Sequence, residues 1–188
     1  MRRIAIVGPC GAGKSTLART LGDLTGLPVW HLDKIWWLPG WIEDTPERFD
    51  EKLRDVVDGE EWIIDGNYSR TFNIRLPKAD TVIYLDFPRR IYFRRVLWRI
   101  TKGYGKTRPD LAENCPERFD LEFLHFVWNI PKKSRPRTQQ LLAEYASEFT
   151  LYTFRKPKEV KQFLEEVKGK LHSENVIQSD QSSPVLNR

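Results

Sequence analysis

The 188-residue chain has only two cysteines, Cys10 and Cys115, far apart in the sequence. A disulfide scaffold and a four-cysteine zinc site are therefore excluded, and the expectation is a cytoplasmic protein with two free thiols. No apolar run is long enough to cross a bilayer, so neither a membrane span nor a membrane partner is expected. The basic start, Met1-Arg2-Arg3, precedes only Ile4–Val7 before Gly8-Pro9. That run is too short for a signal peptide. No internal repeat is visible. Hydrophobic residues make up 40% and charged residues 30%, which excludes a fully disordered chain. A chain of this length buries a core without staples.

Charge is unevenly spread. The chain carries +5 overall, yet residues 89–137 hold 13 Lys/Arg against five acids, leaving that stretch at +8 and the rest at −3. An anionic partner near this segment is expected: the phosphates of a small nucleotide, or a nucleic acid backbone. A solvated basic helix face is the bland alternative.

Strand-like and helix-like patterns alternate. Arg3–Val7 reads as a buried strand, Lys14–Thr25 as a helix stopped by Gly26, and Val29–Leu32 as a second strand. A tryptophan-rich loop follows. A helix then opens at Thr45-Pro46, with threonine as cap and proline in the first turn, and ends near Asp58. Strands are predicted at 62–65, 81–85 and 149–154, and helices at 88–102, 117–129, 134–147 and 157–171. Residues 103–118, with Gly103, Gly105, Pro109 and Pro116, read as a flexible excursion. From His172 onward the chain is polar and reads as a disordered tail. The predicted fold class is α/β, with helices around a parallel sheet.

Gly8-Pro9-Cys10-Gly11-Ala12-Gly13-Lys14-Ser15 matches G-x-x-x-x-G-K-[ST] in full, directly after the first strand and opening the first helix. Glycines there let the backbone turn and aim its N–H groups inward, and the helix N-terminus adds its dipole. Lys14 would reach the β- and γ-phosphates of ATP, and the Ser15 hydroxyl would bind Mg2+. In a parallel sheet the ligand lies beyond the carboxyl ends of the strands, which brings up Asp33 and Asp65. Asp65 suits a metal-orienting acid, and Asp33 a base or an anchor for an acceptor hydroxyl. Capping is the structural alternative for both, and packing with a hydrogen bond for His31. Trp30, Trp36, Trp37 and Trp41 either line a pocket or form the core under a loop. Arg94, Arg95 and Arg99 precede the excursion, and Arg135 and Arg137 follow it, as a closing lid that compensates phosphoryl charge would need.

Taken in order, the loop Gly8–Thr16, His31-Leu32-Asp33, Asp65-Gly66-Asn67-Tyr68, Asp80–Asp86, and Phe93-Arg94-Arg95 through Arg135-Pro136-Arg137 resemble the adenylate-kinase-like branch of the P-loop kinases. Within that branch the chain is similar to the DNA topology modulation proteins. The resemblance spans roughly residues 2–168. It implies a P-loop NTPase fold, a three-layer sandwich whose five-stranded parallel sheet has the order 2-3-1-4-5. It implies a kinase-like domain over 1–171, with a small lid at about 103–118 and a tail over 172–188. Gly8, Gly11, Ala12, Gly13, Lys14, Ser15 and Thr16 would hold ATP, Ser15 and Asp65 would hold Mg2+, and Lys14, Asp33, Arg95, Arg135 and Arg137 would carry catalysis. One departure is that Asp65-Gly66 is followed by Asn67-Tyr68-Ser69-Arg70 where adenylate kinases have Phe-Pro-Arg, which displaces the arginine by one. The implied function is phosphoryl transfer from ATP to an unidentified small acceptor. The alternative is a regulatory ATP-binding protein that contacts DNA.

Overall fold

Five strands form one parallel sheet: β1 (Arg3–Val7), β2 (Val29–His31), β5 (Trp62–Asp65), β6 (Thr81–Leu85) and β7 (Thr150–Phe154). Their order is β2-β5-β1-β6-β7. In chain order of these five strands that is 2-3-1-4-5, the order expected. β1 sits in the middle because Ile4–Val7 are all fully buried, an apolar run suited to a strand covered on both faces. The computed structural model describes residues 1–181.

Alternation along the strands sorts the core. Ala5, Val7, Ile64, Val82 and Tyr84 face one side, where they meet Phe49, Leu53 and Val57 of α3 (Pro46–Val57) and Phe72 of α4 (Phe72–Arg75). Ile4, Ile6, Ile63 and Ile83 are buried on the other side, and α1 (Lys14–Thr25) buries Leu17, Ala18 and Leu21. The Thr45 hydroxyl accepts from the Arg48 N–H at 3.3 Å, so the cap expected for α3 forms.

Three regions differ from expectation. The second strand stops at His31, and Leu32–Trp36 form a short helix, α2. The tryptophan-rich loop folds into a small antiparallel hairpin of β3 (Trp37–Leu38) and β4 (Ile42–Glu43). After α5 (Arg89–Gly103), the two helices expected at 117–129 and 134–147 are one, α6 (Leu121–Glu144), which runs through Pro131 and Pro136. Pro116 and Glu117 are held in bridges to Thr107 and Tyr104, so the helix begins only where the Asp120 carboxylate caps the Phe123 N–H at 3.0 Å. Beyond Pro131 the helix persists because Val127, Ile130, Thr138 and Leu142 fall on one buried stripe, which outweighs the hydrogen bonds the prolines remove.

The described chain divides at Lys156 into two units. The first is Met1–Arg155, which contains the sheet. The second begins at Lys156 and contains α7 (Pro157–Gln181). The Glu159 carboxylate accepts from the Lys156 N–H at 3.0 Å and caps α7. The tail expected from His172 is helical as far as Gln181, since neither glycine nor proline interrupts 170–181; residues 182–188 lie outside the described residues.

Candidate functional site

The glycine-rich loop joins β1 to α1, as its sequence requires. Gly11 has φ +78°, and a Cβ there would meet the Tyr92 carbonyl oxygen at 2.5 Å and Val96 Cγ2 at 2.6 Å. Only glycine lets the loop lie this close to α5 while keeping a left-handed turn. Neither a side-chain cap nor an acid occupies the first turn of α1. Its N-terminal N–H groups and positive dipole end thus lack a side-chain counterpart, which is the arrangement that receives an anion. Lys14 reaches back across the loop, its Nζ donating to the Pro9 carbonyl at 3.1 Å. From α5, Arg95 Nη1 donates to the Ala12 carbonyl at 2.9 Å, and burial beside Arg94 holds this guanidinium below its ordinary pKa.

Sheet register brings the acids to the loop. His31 and Asp65 are direct neighbours across β2 and β5, and Asp65 also stands beside Ile6 of β1. The Ser15 hydroxyl donates to Asp65 Oδ2 at 2.7 Å, and His31 Nδ1 bonds Oδ1 of the same buried carboxylate. His31 is therefore packed and hydrogen-bonded. Its contact with Asp65 follows from in-register parallel pairing, a signal available once the two strands are known to be neighbours. Asp33 lies on α2 rather than at a strand end and accepts from the Tyr68 hydroxyl at 2.9 Å. Burial and, next, the Asp33 charge drive the Tyr68 phenol far above its ordinary pKa, so it remains a hydrogen-bond donor.

Two side chains that sequence reasoning passed over hold this array. Arg75 is fully buried and donates from Nη2 to the carbonyls of Gly66 and Asn67, at 2.8 and 3.0 Å. Asn67 Oδ1 in turn accepts from the Gly8 N–H at 3.3 Å. Burial pulls Arg75 down to about 9, leaving it charged at neutral pH. No pattern around Leu76-Pro77 distinguishes this arginine from a surface one.

Asp110 is the second. It sits in the 103–118 segment, 4% exposed, bonded to Arg108 Nη1 at 2.7 Å and 3.7 Å from Arg19 Nη1 of α1. That segment is well fastened. Glu117 is shared by Arg99 and Arg108 at 2.9 and 2.7 Å. Leu111, Ala112 and Cys115 pack on Trp37 and Trp41. The Trp41 indole N–H donates to the Pro116 carbonyl at 3.0 Å. Trp37 and Trp41 thus form core beneath a loop, and Trp36 packs on Phe49 and Tyr68.

The two arginines expected to act together are separated. Arg135 grips Asp86, at the end of β6, through Nε and Nη2, both at 2.7 Å. It lines a cavity of about 410 Å3 together with Gly8, Pro9, Asn67 and Tyr92. Arg137 lies two residues further along the same helix, close to half a turn away, and is exposed.

Hydroxyl and carboxylate oxygens are hard donors, so Ser15 and Asp65 fit a hard cation such as Mg2+. Among the described residues no group of three or more His, Cys, Asp or Glu side chains could hold a metal by itself. A cation here would therefore complete its shell with phosphate oxygens and water, the usual habit of Mg2+. Among the described residues no helix is long and apolar enough to cross a membrane.

No protein-family model matches the chain, and no curated protein matches it in sequence. Solved structures do match in shape. A shikimate kinase from Acinetobacter baumannii, in complex with shikimate, aligns with a TM-score of 0.55 at 16% identity, covering 97% of this chain and 96% of that one. A shikimate kinase from Bacteroides thetaiotaomicron aligns at 0.50 and 17% identity, covering 91% and 98%. With its parallel sheet and the loop between β1 and α1, the chain has the P-loop kinase fold.

Proposed function

We propose that this protein is an ATP-dependent phosphotransferase acting on a small acceptor. The observation that carries the reading is the glycine loop at the uncapped start of α1, with Lys14 across it and Ser15 tied to the buried Asp65. In this reading the backbone of Gly8, Gly11, Ala12 and Gly13, with Lys14, Ser15 and Thr16, holds the ATP phosphates. Ser15 and Asp65 would hold Mg2+, which would supply neutralisation of the phosphate charge when bound. Lys14 leaves the Pro9 carbonyl for the phosphates. Arg95 and Arg135 compensate the charge that spreads over the transferred group, while Arg137 needs a change of helix orientation to join them. The acceptor oxygen forms the new bond to the γ-phosphorus as the bond to the ADP oxygen breaks, and Asp33 takes the hydroxyl proton. Two free thiols, Cys10 and Cys115, support a reducing, cytoplasmic setting. The test is a screen of hydroxyl-bearing metabolites and nucleotides that follows ATP consumption. One acceptor should raise turnover well above the acceptor-free rate; a flat response across a broad panel contradicts the reading.

A second reading, the one suggested by the resemblance to DNA topology modulation proteins, has its own observation. Arg90, Arg94, Leu97, Trp98 and Lys102 are exposed together along α5, a mix of cations and an aromatic ring that suits a nucleic acid. DNA affinity falling steeply with salt, and less steeply in Arg94→Ala, is its signature.

A further inference from the structure

The cavity beside the phosphate loop carries more positive charge than its ion pair uses. Gly8 and Pro9 of the loop form part of its wall, and Asp86 and Arg135 neutralise each other there. Arg89, at the start of α5, and Lys132, on α6, line it as well and leave a surplus of two positive charges. Arg89 Nη1 donates to the Trp128 carbonyl at 3.3 Å, and its guanidinium lies 3.9 Å from the centre of the Trp128 ring. Lys132 is four residues further along, so it stands one turn from that contact on the same face of α6. Among the described residues no carboxylate pairs with either cation.

Two further features point to an anion. Pro88, which precedes α5 and lines the cavity, gives the helix no side-chain cap, and no acid stands in its first turn. The positive end of the helix dipole there meets Arg89 and Arg90, an unfavourable pairing that a bound anion relieves. Tyr92 lines the same cavity at 2% exposure, and its hydroxyl has no hydrogen-bond partner. Buried hydroxyls are normally paired, so this one marks a place for an acceptor oxygen from a ligand.

We propose that this cavity selects a phosphoryl acceptor that itself carries an oxyanion, a phosphate monoester or a carboxylate, gripped by Arg89, Lys132 and the first turn of α5, with Tyr92 donating to it. The inference rests on the phosphotransferase reading of the loop. Asp33 lies outside the lining, so the cavity holds the charged end of the acceptor while its hydroxyl extends past Gly8 and Pro9 to the loop. A volume of about 410 Å3 has room for a small metabolite. A phosphate monoester, with a charge of about −1.5 to −2 at pH 7, meets the surplus more fully than a carboxylate does.

The experiment first fills the phosphate loop with saturating Mg2+ and a non-hydrolysable ATP analogue, so that inorganic phosphate then reports on the cavity. Phosphate is titrated at constant ionic strength into the native chain, Lys132→Gln, Tyr92→Phe and Lys133→Gln, and binding is read from the rise in Tm. Lys133 is exposed and lies outside the lining, so its variant makes the same charge change away from the site. The native chain and Lys133→Gln should bind alike, while the apparent Kd rises about tenfold in Lys132→Gln and severalfold in Tyr92→Phe. Equal weakening by the two lysine variants would show diffuse charge alone and overturn the inference, as would full affinity in Lys132→Gln. In competition, hydroxyl compounds bearing a phosphate or a carboxylate should displace inorganic phosphate, and the stronger competitor names the group. Displacement by uncharged polyols at similar concentrations overturns the inference. If the ATP analogue does not bind, the phosphotransferase reading itself fails. If it binds and phosphate leaves Tm unchanged, only this inference fails.

Discussion

Arg135→Ala removes two bonds of 2.7 Å from the Asp86 carboxylate, which is 5% exposed. The Tyr84 hydroxyl, donating at 3.1 Å, remains as a partner, while Arg155 stands farther off at 3.9 Å. Stripping one partner from a buried pair costs about 3–5 kcal/mol. Here the Arg135 side chain is 45% exposed, so water screens the pair. The discounted expectation is about 1–3 kcal/mol. For a chain of this size that lowers Tm by roughly 2–12 °C. Asp86→Asn in the Arg135→Ala background should recover part of the loss, because the neutral amide does not strand a charge. Urea unfolding of both single variants and the double variant closes the cycle, with an expected coupling of about 1 kcal/mol or more. A loss below about 0.5 kcal/mol with additive effects would refute the reasoning and show the ion pair to be thermodynamically idle.

Gly11→Ala should lower stability by about 2–4 kcal/mol, since its Cβ meets the Tyr92 carbonyl at 2.5 Å and φ is +78°; thermal melting within 1 °C of native contradicts the loop geometry. Acid should unfold the protein progressively. Asp80 feels burial pushing its pKa up, but bonds from Thr81 and the N–H groups of Arg2 and Arg3 outweigh it and leave the pKa depressed; Asp44 is held low chiefly by Lys52. A depressed carboxylate contributes stability above its unfolded pKa and loses it as pH falls through the folded one. Tm measured downward from pH 5 should therefore decline less steeply in Asp80→Asn, and an unchanged slope removes Asp80 from the account. Trp41→Phe deletes the donor to the Pro116 carbonyl, so amide exchange over 111–117 should quicken; no change would mean the hairpin does not hold this segment.

Much of the fold was legible because β1, β5 and β6 are short apolar runs ending at glycine, aspartate or proline, and Gly26 and Thr45 punctuate the helices around them. The phosphate loop was legible for the same local reason. Elements governed by distant contacts were not. Pro131 and Pro136 promise a break, yet the buried stripe through Val127 and Leu142 carries α6 across both. The tryptophans and the Gly/Pro excursion each look like open loops alone, and they become core only when Trp41 meets Cys115 and Pro116. Arg75 and Asp110 are ordinary charges in sequence, and only tertiary burial sets them apart. Arg135 and Arg137 look like a pair in sequence, but helical geometry turns them to different sides.

The central claim is that the loop between β1 and α1 binds the phosphates of ATP through Lys14. Calorimetric titration of the native chain and Lys14→Ala with Mg-ATP tests it most directly. The account predicts saturable binding to the native chain, weakened at least about tenfold in the variant by loss of one charge-assisted contact worth about 1.5–3 kcal/mol. Equal binding by the two proteins, or none by the native chain, would contradict it.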